Sequence, residues 1–269
     1  MIGAIVYEMK ALNDERIPVS HGQLLHGACF NILKEYSPEL ASYVHDKMSV
    51  KPFAVAELEV PGAKKEKNSQ LYISAGSMLR WRISALNDAV LKAFLSIQSR
   101  SILVIGRLRL EVVKILADPE MCRYTGLLDP ECMLAECLSL SPVSKLTLDF
   151  RSVTTFRLDT NDFPWPLPEY VFGSLADKWI AMDMPGDISA DWVRAEARKM
   201  LPLEWEGRSR QVYLSSRRGT RGFVGRFSYS MKNLSDEAKQ VMMLLASYGE
   251  FSGVGRWTPH GLGQVRLEH

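Results

Sequence analysis

The chain closes on GVGRWTPHGLGQVR, residues 253–266. There Gly253 and Gly255 are followed, with five residues between, by Gly261 and Gly263, and Arg256, Trp257 and His260 lie between the two pairs. Glycine reaches positive φ without penalty and lets another molecule approach the main chain closely, so the pattern reads as a loop shaped around something. A second concentration lies upstream. From Trp205 to Lys232, Arg208, Arg210, Arg217, Arg218, Arg221, Arg226 and Lys232 stand against the single acid Glu206. That is the footprint expected of a polyanionic partner, or else a solvated edge hairpin protected against aggregation. Metal chemistry finds no support. Cys29, Cys122, Cys132 and Cys137 form no C-x-x-C pair and have no histidine at zinc spacing, so no metal and no cofactor is expected. Cys132 and Cys137, set among Met133, Leu134 and Leu138, read as buried thiols.

These residues need elements to hold them. With 269 residues the chain can form two modest domains or one large one, and 46% hydrophobic content suits a globular core. No apolar run approaches the roughly 20 residues of a membrane helix. The opening MIGAIVYEMK has no basic leader or small-residue cleavage site, so no membrane association and a cytoplasmic location are expected. Leu267–His269 reads as the stub of an expression tag.

Strand and helix signals then alternate: a strand over 2–10, a helix over 21–36, and a short helix opened by Ser37-Pro38 and ending near His45. Phe53–Val60 and Gln70–Ala75 follow as strands, Ser84–Ser96 as a helix and Ile102–Leu116 as a strand or hairpin. A second round comprises a strand over Lys145–Leu158, helices over Pro168–Met182 and Ser189–Met200, strands over Glu204–Ser216 and Phe223–Ser230, a helix capped by Ser235, and a last strand at Gln264–Arg266. Prolines interrupt the pattern over Asp129–Pro142. The expected fold is α+β: two tandem ferredoxin-like βαββαβ domains, over 1–130 and 143–266. Within the arginine-rich segment, Phe223, Phe227 and Tyr229 read as an inward strand face.

The glycine loop has three readings from pattern alone. The dinucleotide fingerprint G-x-G-x-x-G fails, and the P-loop G-x-x-x-x-G-K-[ST] is absent. A structural turn remains, though a turn does not require four regularly placed glycines. The doubled G-h-G at this position, after a helix and before a strand, resembles the glycine-rich loop of the CRISPR-associated endoribonuclease family that processes repeat RNA, within the RAMP superfamily. The segment Thr147–Leu158, with Val153-Thr154-Thr155-Phe156-Arg157, resembles the strand of that family ending in S/T-x-T-x-F. His45–Leu58 resembles its histidine, lysine and K-P-F strand entry.

The resemblance implies metal-independent cleavage of repeat RNA. The 2′-hydroxyl attacks the adjacent phosphate, leaving 2′,3′-cyclic phosphate and 5′-hydroxyl ends. It also implies CRISPR repeat RNA as partner, with other interference-complex subunits and a second copy of the chain as further candidates. Histidine suits the proton transfers because both its forms coexist near neutrality, and lysine or arginine suits the crowded phosphate. His45 is the first candidate: the end of its helix favours imidazolium, which fits a general acid, although a histidine capping that helix would look the same. His26, one turn before Phe30, is the second, as base or as orienter, against a border histidine with a water partner. Lys51 stands to neutralise the phosphate or hold the 2′-oxygen, against an ordinary exposed lysine. Gly253, Gly255, Gly261, Gly263 and Arg256 would meet RNA phosphates, Trp257 would stack on a base or anchor the loop, and Arg217, Arg218, Arg221 and Arg226 would grip the RNA flank. His21 and His260 receive no catalytic role. Two rivals stand beside this reading: a non-cutting RAMP subunit that holds guide RNA, and a small-molecule enzyme that uses the loop for a nucleotide phosphate.

Overall fold

A computed structural model describes residues 1–62, 64–65, 69–215 and 218–268. The chain divides into two compact units. One comprises Met1–Leu127 with Pro259–Gly261, the other Leu128–Thr258 with Leu262–His269. Among the described residues, no helix is long and apolar enough to cross a membrane.

In the first unit the elements are β1 (Ile2–Ala11), β2 (Glu15–Pro18), α1 (Gly22–Tyr36), α2 (Pro38–Asp46), β3 (Phe53–Val55), β4 (Lys64–Lys65), β5 (Gln70–Ile73), β6 (Met78–Ala85), α3 (Asp88–Leu95), β7 (Ile102–Ile105), β8 (Leu108–Leu116) and β9 (Gly126–Leu128). Strands β3-β6-β1-β8-β7 form an antiparallel sheet in that order, the ferredoxin-like arrangement with β7–β8 as a terminal hairpin. Tyr7 pairs with Trp81 across β1 and β6, both fully buried, and Tyr7 donates to the Phe94 carbonyl at 2.6 Å, tying the sheet to α3. Leu25, Ala28, Cys29, Ile32 and Leu33 form the buried face of α1, the i, i+3, i+4, i+7 stripe that a core-facing helix requires. Ser37 Oγ accepts from the Leu40 amide at 3.1 Å and caps α2.

One strand differs from the sequence reading. The third strand of the main sheet is β6, not Gln70–Ala75, which pairs instead with β2 and β4 in a separate small sheet. The segment MLRWRISA alternates Leu79, Trp81 and Ile83 inward with arginines between them. This is the period-2 signature of a half-buried strand, and it extends over Ser84, so the helix expected from Ser84 begins later, at Asp88.

The second unit holds α4 (Pro130–Ser139), β10 (Lys145–Thr154), β11 (Phe156–Leu158), β12 (Asn161–Phe163), α5 (Pro168–Ala181), α6 (Ala190–Ala197), β13 (Leu201–Ser215), β14 (Arg218–Ser230), α7 (Asp236–Ser252) and β15 (Val265–Glu268). Its sheet runs β13-β14-β10-β15, all antiparallel, again ferredoxin-like. Phe223, Phe227 and Tyr229 are buried, as expected of an inward face. Two expectations change here. The proline-interrupted stretch contains α4, because Pro130 occupies the first turn, where it costs no hydrogen bond, and Asp129 caps it. Of its two thiols only Cys137 is buried; Cys132 is exposed, lying off the inward stripe formed by Met133 and Cys137.

Candidate active site

Three elements of the first unit bring histidines to one cluster. His26, on α1, lies 4.9 Å from the Phe30 ring one turn further along. Phe30 also meets His45, near the end of α2, at 5.5 Å, edge to face. Phe53, the first residue of β3, packs 5.7 Å from both His26 and Phe30. The fifth member is His260. Its ring stacks on His26 at 4.2 Å, with 13° between the planes. The segment that carries it rests against the start of α1 so closely that a Cβ on Gly22 would lie 1.9 Å from the His260 carbonyl oxygen. Glycine at the first position of α1 is therefore what admits His260. Sequence reasoning had set His260 aside as a loop residue; the only signal for it was its place between the glycine pairs.

Environment separates these imidazoles. His26 is half-buried, and its Nδ1 has no hydrogen-bond partner among the described residues. Burial lowers its pKa below the ordinary histidine value; the Pro259 carbonyl acts the other way, while the charges of Lys51 and His45 lower it further. His260 is lowered to about 4, by burial first and then by His26. Near neutrality both rings are uncharged, so they stack without repulsion and His26 can accept a proton. His45 differs: its side chain is 70% exposed and its Nδ1 lies 2.7 Å from Asp46 Oδ1, so Nε2 is the nitrogen not engaged by that contact. A charge-assisted contact on one nitrogen orients the ring so that the other can deliver a proton.

Lys51 is built into the same corner. Its Nζ donates to the carbonyls of Val44 (2.9 Å), His45 (2.9 Å) and Met48 (2.7 Å). The first two are carbonyls that a helix end leaves without partners, and the third lies just beyond it, so Lys51 fixes the turn that presents His45. A contact to phosphate would require it to release one of these bonds. His21 is buried and structural: Nε2 accepts the Leu58 amide at 2.9 Å, so Nδ1 carries the proton and donates to Val19 O at 3.0 Å.

In the second unit, Gly253, Gly255 and Gly263 have φ of +65°, +72° and +73°. A Cβ on Gly255 would lie 2.4 Å from Thr155 O, and one on Gly263 would lie 2.1 Å from Val254 O. Gly261, assigned to the first unit, also has positive φ, at +86°, but a Cβ there would meet only Glu57 at ordinary contact distance, 3.6 Å. What approaches these glycines is the protein's own backbone. The loop amides are already engaged: Val254 donates to Gly263 O, Gly263 to Val153 O, Arg256 to Thr155 O, and Gly255 to Ser174 Oγ. A phosphate at those amides would compete with these bonds. Lys178, buried in α5, donates to Gly253 O at 2.7 Å and Ser252 O at 3.4 Å, and burial draws its pKa down to about 7. Arg256 pairs with Asp162 at 2.8 Å and lies over the Trp257 ring, and Trp257 packs against the buried cluster of Val153, Val212 and Leu262.

The basic hairpin is described in part. Arg221 is exposed on β14, and Arg226 forms an ion pair with Glu268. Arg218 is described only through its backbone pairing with Ser215, and Arg217 lies outside the described residues.

Residues 5–125 match the family model described as the CRISPR Cas6 N-terminal domain, and residues 148–265 match CRISPR-associated endoribonuclease Cas6. No curated protein matches. A solved Cas6 product complex superposes with a TM-score of 0.80 at 26% identity, covering 100% of this chain and 99% of that one. A Thermus thermophilus Cas6 gives 0.73 at 26% identity, over 100% and 98%. A RAMP protein described as binding different RNA substrates shares the fold, with a TM-score of 0.64 at 16% identity over 99% and 100%.

Proposed function

Because the chain belongs to the Cas6 family of CRISPR-associated endoribonucleases, we propose that it cleaves CRISPR precursor RNA within the repeat by a metal-independent transfer in which His26 and His45 carry the protons. His26 takes the proton of the 2′-hydroxyl as that oxygen bonds to phosphorus. The bond from phosphorus to the 5′-oxygen breaks, and His45 supplies the proton that the leaving oxygen needs. The products are a 2′,3′-cyclic phosphate and a 5′-hydroxyl. The observation that carries this reading is the Phe30 ring in contact with two histidines, His26 at 4.9 Å and His45 at 5.5 Å. One of them is half-buried with a lowered pKa, and the other is exposed and oriented by Asp46. A base and an acid in unlike environments are what such a transfer requires.

Lys51 acts in this scheme as the positioning residue for His45. Repeat RNA is the proposed partner, with Arg217, Arg218, Arg221 and Arg226 meeting its phosphates and Arg256 adding charge at the glycine loop. Gly253, Gly255, Gly261 and Gly263 contribute by setting the shape of that loop. A relative solved as a product complex supports a bound reaction product in this fold.

The test is cleavage of the host repeat RNA by purified protein in excess EDTA, beside a substrate with one 2′-deoxy sugar at the cut and beside His45→Ala. The proposal expects a single cut that survives EDTA and is lost with the deoxy sugar and with the variant. Tight binding without cleavage would replace it with a guide-RNA-holding subunit, and loss of cleavage in EDTA would remove the metal-independent mechanism.

A further inference from the structure

The basic hairpin of β13 and β14 outruns the sheet that carries it. Strand β10 accompanies β14 only as far as Thr154, opposite Phe223. Beyond that point residues 210–215 and 218–222 have only each other as strand partners among the described residues. A two-stranded ribbon is marginal in water and twists readily, so contacts at its base must set its direction. Packing supplies part of them. A Cβ on Gly222 would stand 2.3 Å from Thr154 O, so β14 rests directly on the end of β10. Val212 belongs to the buried cluster on which Trp257 of the glycine loop packs.

The remaining contact is a single carboxylate. Asp162, on the β11–β12 hairpin, uses one oxygen for each neighbour. Its Oδ1 accepts from Arg256 Nη1 at 2.8 Å, and its Oδ2 accepts from the Thr220 hydroxyl at 2.7 Å. Thr220 is buried and stands opposite Val212 in the ribbon, while the Asp162 and Arg256 side chains are only 25% and 26% exposed. Between Gly207 and Ser235 the sequence holds no acid. Asp162 therefore sets a negative charge against strands whose own charges are all positive. On a face that meets phosphates such a charge is unfavourable, and what it supplies in return is the link between loop and ribbon.

We propose that Asp162 is a positioning residue for RNA binding. Its carboxylate fixes the base of the ribbon to Arg256, so that hairpin and glycine loop present their cations to one RNA in a set register. The proposal rests on the reading of these cations as the RNA contact. It also carries a sign opposite to that of charge alone. Removing an acid from a basic surface strengthens RNA binding by electrostatics, whereas removing the brace weakens it.

The experiment is equilibrium binding of the full chain to host repeat RNA carrying the 2′-deoxy sugar at the cut, over a series of salt concentrations. Asp162→Ala is expected to weaken binding about tenfold and to make the log–log salt slope shallower by about 1 to 2, as phosphate contacts fall out of register. Thr220→Val leaves every charge in place and is expected to weaken binding in the same direction. Arg221 is exposed on the ribbon, and the cost of Arg221→Ala should shrink when it is measured in the Asp162→Ala background. Chemical denaturation reports any general loss of fold in Asp162→Ala, in which case Thr220→Val carries the test. Unchanged or tighter binding by Asp162→Ala, no effect of Thr220→Val, or an equal cost of Arg221→Ala in both backgrounds overturns the proposal and leaves the RNA reading standing. A wild type without affinity for repeat RNA overturns the RNA reading and this proposal with it.

Discussion

At the scale of single residues, the candidate site depends on how differently one fold treats chemically identical side chains. His21, His26, His45 and His260 share a chain and an intrinsic basicity. Yet one is locked between backbone groups, two stack partly out of water, and one faces solvent beside a carboxylate. Replacement of either His26 or His45 by alanine is expected to lower the cleavage rate by about 10²- to 10⁴-fold, read in single-turnover assays, with repeat-RNA affinity retained. A base must be neutral to act, and burial lowers the His26 pKa below that of an ordinary histidine, so the acidic fall of the rate should come at lower pH than an ordinary histidine base would give. Lys51→Met removes one of the charges that depress that pKa. The acidic limb of its pH–rate profile should therefore move to higher pH.

Elements set the next constraint, through close approaches that only glycine allows. Gly255 and Gly263 combine positive φ with carbonyl oxygens where a Cβ would stand. Alanine at either position should cost about 1–3 kcal/mol in chemical denaturation. At Gly62, where φ is also positive but the space is open, alanine should cost less. Gly22→Ala tests the other end of the same argument. A side chain there must displace the His260 backbone, and the expected result is impaired cleavage with little loss of helix content by circular dichroism. The tie between α5 and the end of α7 has its own signature. Lys178 has a folded-state pKa of about 7 against 10.5 for a free lysine, so the folded chain binds fewer protons between those values. Stability should rise with pH across that window, and a Lys178→Met variant should lack the rise.

For the whole molecule, the path of the last residues matters more than their number. After α7 the chain contributes Gly253–Thr258 to the second unit, Pro259–Gly261 to the first, and then β15 to the second again. Removing residues 259–268 should therefore damage both units, stripping His260 from His26 and exposing the edge of β10. Residues 1–127 expressed alone should contain His26, His45 and Lys51 and still lack the stacked ring. Comparison of His26 titration by NMR in that fragment and in the full chain would show it: the fragment's pKa should be nearer the ordinary histidine value, since the ring that helps bury His26 is gone.

Much of this was legible in the linear chain. The period-3.6 stripe of α1, the Ser37-Pro38 and Ser235 caps and the inward aromatics of β14 are local signals, written by backbone sterics and burial into neighbouring residues. The glycine doublets and the histidine–lysine spacing carried the family resemblance for the same reason. The true third strand and α4 were also written locally but lay under misleading punctuation, a lysine-rich turn in one case and prolines in the other. The sequence by itself determined which residue types were available, two ferredoxin-like element orders and the positive charge of the β13–β14 hairpin. Only the tertiary structure decided that His260 stacks on His26, that Lys51 spends its donors on a helix end, and that the loop glycines make room for the chain's own backbone. Each of these depends on groups distant in sequence meeting at contact range, and no local pattern encodes which ones will meet.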